Sequence, residues 1–253
     1  MQVIYEDNHI IVVNKQPGES VPGDKTGDVP LSDLVRQYIK EKYQKPGNVF
    51  LGVVHRLDRP VGGLVIFART SKALARLNRM FANGEVHKTY WAITPRPSTS
   101  IPRPSSPARP VHCGSAAVPP SPLDLPVGAP PVLLTHWLTR NEQQNKSYAH
   151  PREVPGSKKA QLRLSCLACG DRYQLVEVQL LTGRHHQIRC QLAAIGCPIK
   201  GDLKYCAPRS NPDGSISLLA RSIDFTHPVS GEDLHFDAPL PDEGLWATLA
   251  GKS

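Results

Sequence analysis

Three short segments carry residues whose types and spacing suit chemistry. The first is Gly52-Val53-Val54-His55-Arg56-Leu57-Asp58-Arg59-Pro60-Val61-Gly62-Gly63-Leu64, where one carboxylate sits between two arginines. The Pro and Gly residues shape a loop between two apolar strands, and loops held by rigid strands are where binding and catalytic groups concentrate. Guanidinium neighbours keep an aspartate ionised, which suits a nucleophile. A turn in which Asp58 merely pairs with Arg56 or Arg59 would use the same residues, and composition alone leaves that open. The second segment is Val86-His87-Lys88-Thr89-Tyr90-Trp91. Strand alternation puts Lys88 and Tyr90 on one face and His87, Thr89 and Trp91 on the other. A cation beside a phenol can hold a phosphate and stack a base, though an ordinary edge strand with one solvated face has the same pattern.

The third segment, Leu181-Thr182-Gly183-Arg184-His185-His186-Gln187-Ile188-Arg189, runs from a strand end into a helix. Thr182 and the amides around Gly183 suit an anion at the helix start. Arg189 falls one turn along from His186, placed to reach a carboxylate. The plainer alternative is a basic, solvent-facing turn. Metal chemistry has less behind it. Cys166-Leu167-Ala168-Cys169 has zinc-knuckle spacing without a second such pair, and a regular strand would send its two thiols to opposite faces. A metal-dependent nucleic-acid enzyme would need Cys166, Cys169 and a histidine to converge, so no metal is expected. The chain has no Walker loop, dinucleotide fingerprint or Gly-x-Ser-x-Gly elbow.

The elements that must hold these segments are mostly strands. Val3–Tyr5 and Ile10–Val13 read as strands around the turn Glu6-Asp7-Asn8. Residues 31–43 place Leu31, Leu34, Val35, Tyr38 and Ile39 on one helical face. Gly52–Val54 and Leu64–Ala68 read as strands. Ser71 is the expected N-cap of a helix carrying Leu74, Leu77 and Phe81 and ending at Asn83-Gly84. Further strands are expected at Val86–Ile93, Leu133–Leu138, Gln161–Leu167, Tyr173–Leu180 and Ser217–Phe225. A short helix is expected over 186–195, closed by Gly196, and a helical turn over Leu245–Leu249. Strands outnumber helices in an irregular order, so the expected class is α+β.

The 253 residues are 40% hydrophobic and 21% charged, enough for a real core and against wholesale disorder. No apolar run approaches the roughly 18–20 residues that cross a bilayer. The start, Met1-Gln2-Val3-Ile4-Tyr5-Glu6-Asp7, lacks the pattern of a secretory signal, so a cytoplasmic protein is expected. The six cysteines are scattered and do not read as a disulfide framework. Thirty Lys+Arg against 22 Asp+Glu leave a net charge of +8, which favours a polyanionic partner such as nucleic acid. Twelve of the 25 prolines fall between Pro95 and Pro131. That stretch reads as a Pro-rich insertion or mobile loop within a single domain spanning 1–253.

Taken in order, the three segments resemble the RluA-type pseudouridine synthase family. His55-Arg56-Leu57-Asp58 followed by Gly-Gly is similar to its catalytic motif, Lys88-Thr89-Tyr90 to its second and Thr182–Arg189 to its third. The opening Ile4-Tyr5-Glu6-Asp7 and Val12-Val13-Asn14-Lys15-Gln16-Pro17-Gly18 are also similar to the family's usual start. Two departures stand out. Val61-Gly62 replaces the hydroxyl pair often found before the motif's final glycine. The chain also begins at the catalytic domain, so an N-terminal S4-type RNA-binding domain is not expected.

The resemblance implies a pseudouridine synthase fold: a long mixed, mostly antiparallel sheet with flanking helices and a central catalytic cleft. It implies isomerisation of uridine to pseudouridine in structured RNA, ribosomal or transfer, without a cofactor. Asp58 would be the essential carboxylate, whether it attacks C1′, attacks C6 or takes a sugar proton. Arg189 would orient Asp58, and Tyr90 would stack on the uracil. Arg56 would face RNA and fill the space of the extracted base. His55, Arg59, Lys88, Arg184 and His186 are the remaining candidates for RNA contact or loop support. RNA is the implied partner, bound by a monomer with no obligate protein partner and no membrane. The rival from another class is a non-catalytic RNA-binding or RNA-folding protein on the same scaffold.

Overall fold

The computed structural model describes residues 1–253 apart from 24–26, 97–124, 243, 252 and 253. Most of the Pro-rich segment 95–131 lies outside the described residues. In chain order the elements are β1 (Gln2–Glu6), β2 (Ile10–Lys15), α1 (Leu31–Lys42), β3 (Gly52–Val53), β4 (Gly62–Ala68), α2 (Ser71–Asn83), β5 (His87–Pro95), β6 (Val132–Asn141), β7 (Lys146–His150), β8 (Lys158–Cys169), β9 (Tyr173–Leu180), α3 (Gln187–Ala194), a 3-10 turn at Leu203–Tyr205, β10 (Leu218–Thr226), β11 (Asp233–Asp237) and α4 (Gly244–Ala250). The class is α+β, and the strand pairing is mixed and mostly antiparallel, as expected. β7 and β11 are additions to the sequence reading. Among the described residues no helix is long and apolar enough to cross a membrane.

The chain divides into two compact units, Met1–Thr89 with Leu219–Pro239 and Tyr90–Leu218 with Leu240–Ser253. In the first unit the strand order is β1-β2-β4-β10, with β3 added to β4 and β11 to β10. Every residue of β2 and β4 is buried. Strands covered on both faces read as unbroken apolar runs rather than alternations, which is why Ile10–Val13 and Leu64–Ala68 stand out in the sequence. β4 pairs antiparallel with β3 at Phe67 and Ala68 and parallel with β10 at Gly62 and Gly63. The loop 54–61 thus leaves one end of β4 and returns to the other. Gly63 has φ +116°, and a Cβ there would lie 2.4 Å from the Ala220 carbonyl oxygen. Only glycine lets β10 approach this closely.

Helix α1 buries Leu31, Val35 and Ile39, with Asp33 in its first turn and Lys40 and Lys42 in its last, matching the helix dipole. The cap of α2 is Thr70, not Ser71. Thr70 is extended and its hydroxyl accepts the Ala73 amide at 3.2 Å, which leaves Ser71 as the first helical residue. Gly84, left-handed at φ 75°, ends the helix as expected.

In the second unit the strand order is β5-β9-β8-β6-β7. β8 alternates: Ala160, Leu162, Leu164 and Cys166 are buried while their neighbours are not. Ala160 joins Leu138, Ala149, Cys190 and Tyr205 in a cluster beneath α3. Farther along, α4 seats Leu249 against Ile93, Ala168 and Leu175. Between those two stretches the β8–β9 register shifts at Cys166/Ala168. The shift overturns the expectation that Cys166 and Cys169 point apart: their sulfurs lie 3.5 Å from each other. One extra residue in a strand reverses the alternation beyond it.

Candidate active site

The Asp58 loop is held from below by Lys15. Its side chain is fully buried, and its ammonium donates to the carbonyls of Gln16 at 3.0 Å, Arg59 at 3.0 Å and Val61 at 2.7 Å. Burial pulls this lysine down to about 8, against the carboxylates of Glu19 and Asp58, which act to keep it charged. The Gly18 amide also donates to the Arg59 carbonyl at 2.8 Å, and the Val61 amide closes a turn onto the Asp58 carbonyl at 3.0 Å. Two of the three carbonyls on this one ammonium, those of Arg59 and Val61, fix the backbone on either side of residue 60. Nothing local in the loop sequence announces this, because the donor lies on β2.

His55 supports the other end of the loop. Its Nε2 accepts the Ile66 amide at 3.0 Å, and its ring stacks on Phe81 with centroids 4.9 Å apart. Burial, reinforced by the charge of Lys88, pulls the imidazole down to about 3. The folded protein therefore leaves unbound a proton that the unfolded chain takes up near pH 6.5. The resulting stability is complete above pH 6.5 and is lost as pH falls toward 3, with a slope of up to about 1.4 kcal/mol per pH unit. His55→Gln keeps an acceptor for the Ile66 amide and removes the titration. Urea denaturation across about pH 4–7 should give a flatter slope for the variant, by up to one proton. Equal slopes would show that His55 titrates normally.

The other candidates of this unit divide by exposure. Arg56 is exposed and Arg59 partly so, with the Arg59 guanidinium paired to Asp28. Lys88 is half-buried with its ammonium over the Phe81 ring, 5.1 Å from the centroid, and burial lowers its pKa. Asp58 itself is partly buried.

In the second unit Tyr90 is only 8% exposed. Arg189 is buried and grips one carboxylate with two nitrogens, Nε to Asp202 Oδ2 at 2.7 Å and Nη2 to Asp202 Oδ1 at 2.9 Å. Arg189 is therefore not part of a solvent-facing turn, the plainer alternative for this segment. Asp202 is 1% exposed and was not singled out in the sequence. The Arg189 guanidinium lies over the Tyr205 ring, 5.1 Å from its centroid. The Tyr205 hydroxyl accepts the Ser147 amide at 2.9 Å and lies 2.9 Å from His186 Nδ1. His186 is buried, so it supports the turn rather than presenting a surface to RNA. It starts α3 at φ 51°, a left-handed conformation uncommon outside glycine.

The expected anion site at Gly183 is also corrected. Gln187 Oε1 accepts the Arg184 amide at 2.9 Å and the Thr182 hydroxyl at 2.8 Å. A side chain of the helix itself occupies two of the donors offered to an anion there. Arg184 remains exposed, its Nε donating to the Lys159 carbonyl at 3.2 Å.

The RNA pseudouridylate synthase profile matches residues 9–194, and the chain belongs to that family. Its relatives include two bacterial proteins. One is an uncharacterised RNA pseudouridine synthase, YlyB, of Bacillus subtilis strain 168, 30% identical over 247 residues that span 96% of this chain and 70% of that protein. The other is the dual-specificity RNA pseudouridine synthase RluA of Haemophilus influenzae, 29% identical over 241 residues, 94% of this chain and 92% of that one. The fold is similar to that of human RNA pseudouridylate synthase domain containing 4, at a TM-score of 0.68 and 21% identity over 95% of this chain and 88% of that one.

Proposed function

We propose that the protein converts uridine to pseudouridine within ribosomal or transfer RNA, with Asp58 as the essential carboxylate and Tyr90 and Arg189 as its catalytic partners. The observation that carries this reading is the ordered set of three motifs inside the family match, with Asp58 on a loop whose backbone is clamped by a buried ammonium. In this reaction the C1′–N1 bond breaks, the uracil turns over, and a C1′–C5 bond forms. N1 gains a proton and C5 loses one, so no oxidant and no energy source enter. Arg189, held rigid by its two-pronged grip on Asp202, takes from the family resemblance the role of orienting Asp58. Tyr90 stacks on the uracil and assists at C5. Exposed Arg56 enters the space that the base leaves. Extracting the uridine costs a few kcal/mol, least in loops and single strands.

The test is release of tritium from 5-tritiated uridine in bulk RNA by the purified protein without added cofactor. Pseudouridine mapping of cellular RNA with and without the gene then names the position. Tritium release and a lost site are expected. No release, with unchanged maps, would overturn the reading.

A further inference from the structure

β8 exposes one of its two faces, and that face continues across β6 and β7. The register sets Trp137 on β6 directly between His150 on β7 and Lys159 on β8. It sets Leu133 beside Arg163, Thr135 beside Gln161, and Tyr148 beside Thr139. Hydrogen bonds within this face confirm the alignment: Gln161 Nε2 donates to Thr135 Oγ1 at 3.0 Å, and Thr139 Oγ1 lies 3.0 Å from His150 Nε2. Lys146 stands over the Tyr148 ring, 5.6 Å from its centroid. The opposite face of the same strands carries Leu138, Ala149 and Ala160 and is covered by α3. Among the described residues no helix covers the first face where Trp137, Lys159 and Arg163 lie. Lys159 and Arg163 are exposed, Trp137, Tyr148 and His150 partly so, and Leu133 is 53% exposed.

The charge on this half of the chain fits one kind of partner. The second unit holds 16 Lys+Arg against 9 Asp+Glu, while the first holds 14 against 13. Nearly all of the net positive charge therefore belongs to the unit with the open face. Flat aromatic rings set among cations on a sheet are the recurrent means of holding single-stranded nucleic acid, because rings stack on any base and cations track the phosphates. A protein partner would not call for this concentration of one charge.

We infer that the open face of β7, β6 and β8 is a platform for single-stranded RNA, with Trp137 and Tyr148 stacking bases and Lys159 and Arg163 meeting phosphates. It rests on the RNA-modifying function above and extends it: the strand flanking the target uridine is held here, outside the chemistry. The platform sets affinity and the choice of unpaired RNA over duplex, while the saturated rate is set elsewhere.

The probe is a labelled, mixed-sequence single-stranded RNA of about 16 nucleotides, with a duplex of equal length beside it. Trp137→Ala should weaken single-strand binding by about 5- to 150-fold, the range for losing one stacked base. Trp137→Phe should restore most of it. Lys159→Gln with Arg163→Gln, both at exposed positions that folding does not need, should lower the slope of log affinity against log salt by about 1.4. None of these variants should change the single-turnover rate at saturating RNA. Unchanged single-strand affinity in both the Trp137→Ala and the Lys159/Arg163 variants would overturn the platform, even with turnover intact. Tritium release failing in the unaltered protein, with Trp137-dependent RNA binding retained, would instead keep the platform and reject the function proposed above. Binding of duplex equal to single strand, and equally lost in all variants, would overturn the stacking role.

Discussion

Asp58→Asn should bring tritium release to background, a fall of at least about 10³-fold in the single-turnover rate, while the protein stays folded and binds RNA. The loss corresponds to about 4 kcal/mol or more of transition-state stabilisation. Its size follows from a reaction with no metal motif in the sequence and one carboxylate in the catalytic motif to carry it. Folding should be little affected, because the residue is only partly buried and the loop backbone is held through its carbonyls by the Lys15 ammonium. One secondary effect is expected. The Asp58 charge helps keep buried Lys15 protonated, so the variant should loosen its loop at lower pH than the parent. Hydrogen exchange of the Val61 and Gly62 amides against pH reads this directly. Turnover retained in Asp58→Asn would remove the assignment, whatever happens to Lys15.

Arg189 and Asp202 should behave as one unit. Arg189→Lys replaces a two-pronged planar grip by a point charge, and Asp202→Asn takes from a buried guanidinium the carboxylate that grips it with two hydrogen bonds. Each should cut the saturated single-turnover rate on the order of 10²-fold and change RNA affinity by only a few fold. Asp202→Asn should also cost stability of about 3–5 kcal/mol, the usual penalty for breaking a buried pair from one side. The double variant should lose little beyond the worse single one, since the interaction is gone after the first change. Urea denaturation and single-turnover kinetics on the four proteins close that cycle. Weak RNA binding with a normal saturated rate in Arg189→Lys would reject the orienting role. Additive losses in the double variant would show that the two residues act apart.

What could be read from the sequence was what lies close along the chain. Ile10–Val13 and Leu64–Ala68 are legible as buried strands because both faces are covered and the apolar run is unbroken. The helices show through the spacing of Leu31, Val35 and Ile39 and of Leu74, Leu77 and Phe81, although in α2 it is Ala73, Leu77 and Met80 that packing buries. The three motif segments are contiguous, so their order pointed to the family without any contact between them being known. What needed the fold is every partner far along the chain. Lys15 reaches carbonyls 44 and 46 residues away. Arg189 finds its carboxylate on Asp202, past a helix end, and Tyr205 finds the Ser147 amide across 58 residues. Cys166 and Cys169 meet because a bulge reverses a two-residue alternation, and no composition rule contains a bulge. The Thr182 hydroxyl and the Arg184 amide beside Gly183 looked available for an anion because a sequence does not show that the Gln187 side chain folds back onto its own helix start. The open aromatic face depends on register across three strands: a shift of one residue would have buried Trp137 and turned Leu138 to solvent. Local pattern determines which elements form. Which side chains then meet is decided only when those elements pack, because the energy of each contact belongs to two distant residues at once.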